Sequence, residues 1–248
     1  NSTGDLTINA ATTTGGITGI NAINSGSGAL TIETTGTTTG DNGAGINAYD
    51  DGPGAVSITT TGTTTGGTSG ISAINYGGGA LSITTTGITT GDNGAGIDAR
   101  NWEYYGNTPT SLTINAATTT GSNAGIFAYN DGTGALSITT SGTTKGTSSN
   151  GIYANNSATG TSLTINAEAT TGTQGIYAKN FGTGALEITT SGTTTGTTYA
   201  GIYANNSAAG TSLKITAEDT TGTLGIYARN RGDGALEIKT TGTTTGTS

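Results

Sequence analysis

The chain has 248 residues, with 46 glycines, no cysteine, histidine or methionine, 9% charged residues and a formal net charge of −8. These absences exclude a disulfide framework, thiol chemistry, a histidine general base and a cysteine or histidine zinc site. No apolar stretch approaches the roughly 18 residues that cross a membrane as a helix.

Leu, Ile, Val and Phe together number only 36, sparse for a globular core. They recur at fixed intervals, however, so the core is expected to be thin and long rather than missing. In chain order, each repeat opens with an aliphatic-x-Ile unit, starting at Leu6, Leu30, Val56, Leu81, Leu112, Leu136, Leu163, Leu186, Leu213 and Leu236. A stretch of the form TTTGTTTG follows most of these. A Gly-Ile-x-Ala-x-Asn unit comes next, with its isoleucine at Ile20, Ile46, Ile71, Ile97, Ile126, Ile152, Ile176, Ile202 and Ile226, spaced 24 to 29 residues apart. Residues 151–200 and 201–248 are near-copies offset by 50.

Alternation of apolar and other residues over four to six positions, bracketed by Gly and Asn, marks strands, and no window carries a helical period. Three short strands per repeat fit a coil with three sides. The predicted fold is therefore all-β: a right-handed parallel β-helix, a three-sided solenoid of about ten coils of roughly 25 residues, stacked about 4.8 Å apart. The hand follows from the rule for parallel crossovers. Residues 1–248 are expected to form one unit, excised from something longer, with a loop insertion at 100–110.

Two columns support stacking in register. Asn24, Asp50, Asn75, Asn101, Asn130, Asn156, Asn180, Asn206 and Asn230 occupy one slot, where amides can bond up the ladder. Glu187, Lys214 and Glu237 alternate in sign over three coils, which favours an outward column. Charge is uneven along the chain. Up to residue 124 there are eight acidic residues and one basic residue, Arg100; from residue 125 there are seven acidic and six basic. A nucleic-acid partner is not expected, because neither half offers a basic stripe.

Several features could carry function. The insertion Arg100-Asn101-Trp102-Glu103-Tyr104-Tyr105-Gly106-Asn107-Thr108-Pro109 holds the only Trp, and Trp, Tyr and Arg dominate interface hot spots. Its rings could equally fold back and bury themselves. Arg231-Gly232-Asp233 is a tripeptide of the kind integrins recognise, but it fills an x-Gly-x slot that recurs at Asp51-Gly52-Pro53 and Phe181-Gly182-Thr183, where the turn itself asks for glycine. Phe127, Tyr153, Tyr177, Tyr203 and Tyr227 stand at one position of five consecutive coils, either as a binding stripe or as a stack that stabilises the strands. The threonine runs form a face that could bind ice, although Gly interrupts them, and Thr is simply a good exposed strand residue. Asp41 and Asp92 recur in identical GDNGAGI segments two coils apart, and Asp50 and Asp51 read as adjacent turn residues. None forms an acid–base set with a cation, so no catalytic residue, cofactor or metal site is expected.

Segments such as GIYAKNFGTGALEITTSGTTTGT (175–197) and GIYARNRGDGALEIKTTGTTTGT (225–247) resemble the passenger repeats of type V autotransporters, most closely the Bartonella vasoproliferative (angiogenic-factor) family. The resemblance covers the whole chain but rests on a scaffold motif. It implies export through the outer membrane, a signal peptide and membrane barrel outside this sequence, and a secreted or surface-exposed passenger; from its residues that passenger is expected to be non-enzymatic, and it is expected to be monomeric. It also implies a host cell-surface receptor protein as partner: a vascular endothelial growth factor receptor, or an integrin if the Arg-Gly-Asp turn is read. Adhesin and receptor ligand both remain open, beside a polysaccharide-active β-helix enzyme and a purely structural stalk.

Overall fold

A computed structural model describes residues 4–104 and 106–247. Each coil contributes three parallel strands to three sheets, and no helix occurs among the described residues. The leucine sheet has ten strands, from Leu6–Ala10 to Leu236–Thr240; the threonine sheet has ten, from Thr13–Gly15 to Thr244–Gly246; the isoleucine sheet has nine, from Ile20–Asn24 to Ile226–Asn230. Strands pair only with the equivalent strand one coil away, as Leu30 with Val56, Thr38 with Thr64 and Ile46 with Ile71. The expected three-sided solenoid of about ten coils is what the chain forms.

Alternation dictates the core. In a strand such as Ile46–Asp50 the first, third and fifth side chains point inward and the others outward. A full coil thus contributes an aliphatic-x-Ile pair from one sheet and an Ile-x-Ala pair from another, and Leu81, Ile83, Ile97 and Ala99 are fully buried. Burying each large aliphatic contributes roughly 1.5–3 kcal/mol, which a single coil cannot turn into stability without its neighbours.

The threonine sheet departs from expectation. Its first residue is not on a surface face: Thr38, Thr64, Thr89 and Thr119 are fully buried. Their γ-methyls press on the glycine before each isoleucine; a Cβ added at Gly45 or Gly70 would meet Thr64 Cγ2 at 2.8 Å and Thr89 Cγ2 at 2.7 Å. Only the middle residue of each such strand faces outward, and Lys145 interrupts that column. A regular hydroxyl lattice does not form.

The asparagine column is a hydrogen-bonded ladder. Asn75 Nδ2 donates to Asn101 Oδ1 at 2.8 Å, Asn101 to Asn130 at 2.8 Å, Asn130 to Asn156 at 2.9 Å, and so on to Asn230. Each Nδ2 also reaches a backbone carbonyl of its own coil, as Asn75 does to Gly79 at 3.0 Å. Asp50 is a member of this ladder, the buried last residue of its strand, rather than a turn residue paired with Asp51.

Candidate contact surface

The ladder fixes where the chain leaves each strand, so the residue after it forms a column of its own. Tyr76, Trp102 and Asp131 follow Asn75, Asn101 and Asn130, and their amides bond to the coil below: Tyr76 N–H to Asp50 O at 2.7 Å, Trp102 to Asn75 at 2.8 Å, Asp131 to Asn101 at 2.7 Å. The insertion starts in this slot. It turns at Tyr104–Asn107, closed by Asn107 N–H to Tyr104 O at 3.1 Å, with Gly106 at φ 80°, a conformation that favours glycine. It rejoins the coil at Thr110, whose N–H donates to Gly79 O at 3.1 Å.

This path gathers rings from successive coils. The centroids of Tyr76 and Trp102 are 5.9 Å apart, Tyr76 and Tyr104 5.0 Å, Trp102 and Tyr129 5.9 Å, and Tyr49 and Tyr76 5.5 Å. Their planes are inclined by 50° to 89°, so they enclose space instead of stacking. The result is a groove of about 500 Å³ lined by Tyr76, Trp102, Glu103, Tyr104, Tyr129 and Asp131. Tyr104 is exposed and Trp102 half-buried, so the loop neither projects freely nor hides its rings. Tyr105 lies outside the described residues. Burial, then the nearby Asp131 charge, pushes the Tyr129 phenol up from its ordinary value.

Arg100 sits beside the groove without lining it. Its Nε donates to Asp98 Oδ1 at 2.7 Å and Nη2 to Oδ2 at 3.0 Å, while the guanidinium lies 5.4 Å from the Trp102 centroid and 4.9 Å from that of Phe127. It is committed within the chain, as a clamp between strand and insertion. Asp98 first, through its hydrogen bonds, holds the guanidinium's pKa above its usual value.

The aromatic column is a stack. Phe127 and Tyr153 are 4.7 Å apart and inclined by 3°, Tyr153 and Tyr177 5.2 Å, Tyr177 and Tyr203 4.9 Å, Tyr203 and Tyr227 4.8 Å. Each ring covers its neighbour's face, and Lys179 Nζ lies 4.8 Å from the Tyr177 centroid. Sequence reasoning missed a second groove at the end of this stack, about 470 Å³, lined by Tyr199, Tyr203, Leu224 and Tyr227 among others. Its signal was the aromatic Tyr199 in a turn slot that holds Gly43, Gly94 and Asn123 in other coils.

Arg231 and Asp233 are exposed and flank a half-buried Gly232, in the same slot as Trp102 but five coils further on, about 24 Å by strand spacing. The glycine is required for a different reason than expected. Positive φ is confined to Gly106 among the described glycines; at Gly232 a Cβ would strike the Gly210 carbonyl of the coil beneath. Glu187, Lys214 and Glu237 do stack in register and exposed, but among the described residues the one ion pair is Arg100–Asp98. Asp41 and Asp92 are exposed, and the intervening coil presents Gly67 between them.

Comparisons with family models, with curated proteins and with solved structures each returned no match.

Proposed function

We propose that this chain is a non-enzymatic passenger rod, secreted or held at a bacterial surface, that engages a host cell-surface protein as receptor ligand or adhesin. The observation that carries the reading is the insertion. The sheets satisfy their own backbone and, short of the last coil, bury their own apolar faces, whereas residues 102–107 add the only Trp and an exposed Tyr to rings from the two flanking coils. A rigid scaffold that fixes an irregular aromatic loop is the usual physical basis of recognition. The resemblance of the repeats to angiogenic autotransporter passengers directs the reading toward endothelial cells. The Arg231-Gly232-Asp233 turn on the same side of the rod supports an integrin as a second contact.

The test is binding of the labelled 248-residue chain to cultured endothelial cells, beside a version lacking residues 102–107. Saturable binding that the deletion abolishes is expected, with Arg231→Glu reducing it only where integrin engagement contributes. No binding by the intact chain would leave a structural stalk as the better account.

A further inference from the structure

The groove at the insertion has a definite chemistry. Four of its six lining residues are aromatic and set at steep angles; the other two, Glu103 and Asp131, are carboxylates. Among the described residues no ion pair reaches either carboxylate, because Arg100, the one basic residue up to position 124, is chelated by Asp98. The indole N–H of Trp102 is buried, so the walls offer ring faces, tyrosine hydroxyls and carboxylate oxygens, and no cation.

We propose that this groove takes a cationic side chain, arginine or lysine, from an extended segment of the partner protein. The proposal rests on the reading of the insertion as the contact surface and names the chemistry of what it contacts. Ring faces carry negative potential that attracts guanidinium and ammonium groups, and Arg100 already exploits it on Trp102 and Phe127. Two carboxylates without a counter-ion supply the complementary charge, and the net −7 of the chain up to residue 124 reinforces it at long range. The volume exceeds one side chain and suits a short stretch of peptide around it. A neutral sugar would use the rings and donate hydroxyls to the carboxylates, but it would leave their charge unneutralised.

Trp102 is the only tryptophan, so its fluorescence reports on this groove alone. The intact chain is titrated with a short Gly/Ser peptide bearing one central arginine, with the same peptide carrying citrulline, and with a neutral oligosaccharide. Saturable change by the arginine peptide is expected, weakened about tenfold or more by citrulline or by Glu103→Gln with Asp131→Asn, and weakened by salt. Equal response to arginine and citrulline, no loss in the double variant, or saturation by the sugar alone overturns the proposal. Both substituted carboxylates lie outside the strands, Glu103 exposed and Asp131 half-buried, and an unchanged melting temperature verifies the fold. The two readings fail separately: cell binding lost on deletion of 102–107 but untouched by the double variant sinks the cationic side chain and keeps the contact surface. Arginine binding without cell binding does the reverse.

Discussion

Asp50 pairs in register with Asn75, yet the carboxylate oxygen that takes the place of a ladder amide, Oδ2, is buried without a partner. Its other oxygen accepts from Asn24 Nδ2 at 2.7 Å. Asn75 Oδ1 already accepts from Gly77 N–H at 2.9 Å, and it and Asp50 Oδ2 crowd the same face of Gly77. An ionised Asp50 therefore sets acceptor against acceptor where every neighbouring coil has a donor; a protonated one restores the bond.

Burial pushes the Asp50 carboxyl up to about 6 from 3.8, against the hydrogen bonds from Asn24 and Gly52 and with help from the Asp51 charge. The folded value lies above the unfolded one, so its stabilising effect is complete below pH 3.8 and is lost as pH rises through about 6. The full effect is on the order of 3 kcal/mol. Asp50→Asn should raise the melting temperature at pH 7.5 and leave it nearly unchanged at pH 3.5. Thermal denaturation followed by circular dichroism at both pH values checks this; an equal effect at both removes the explanation.

Core position and surface position can be separated within one strand. Ile20 is 6% exposed and Ile23 58% exposed. At the fully buried equivalent Ile126, substitution by Ala should cost about 2–5 kcal/mol. Ile23→Ala should stay within about 0.5 kcal/mol, both read from denaturant unfolding.

Gly182→Ala tests whether glycine serves space or backbone conformation. Its φ is not in the left-handed region, but a Cβ would strike the carbonyls of Gly160 and Thr161. A loss of about 1–3 kcal/mol is expected from overpacking. A neutral or stabilising outcome would mean that the coils can part locally.

The face-to-face geometry of the tyrosine column predicts a stabilising role. Tyr177→Ala removes two ring pairs, each contributing roughly 0.5–1.5 kcal/mol, and should lower the melting temperature without weakening cell binding. Loss of binding with an unchanged melting temperature would reassign the stripe to recognition.

Much of this molecule is legible from its repeat. The isoleucine and leucine slots gave the strands of two of the three sheets, since apolar residues at period two leave little choice of inward face, and the asparagine slot gave the ladder. Less visible were features that depend on packing between coils. The threonine strand looks solvent-facing because Thr suits exposed strands, and only the glycine opposite it reveals the buried methyl. The groove was half legible: Trp102 and Tyr104 announced themselves, whereas Tyr76 and Tyr129 become partners only once the slots around the ladder residue are aligned. The glycines of the turns looked like requirements of their own turn, but the carbonyl that excludes a Cβ belongs to another coil.

The register of neighbouring coils is the claim on which the columns, the ladder and the groove all depend. The chain has no cysteine, so introduced pairs report without background. Tyr177 and Tyr203 are register partners, about 4.8 Å apart by strand spacing and within the range a disulfide spans; Tyr177 and Asn205 are displaced by two residues, about 8 Å. Under mild oxidation, Tyr177→Cys with Tyr203→Cys should close a bridge and Tyr177→Cys with Asn205→Cys should stay reduced. A bridge in the displaced pair but not in the aligned one would contradict the register and everything built on it.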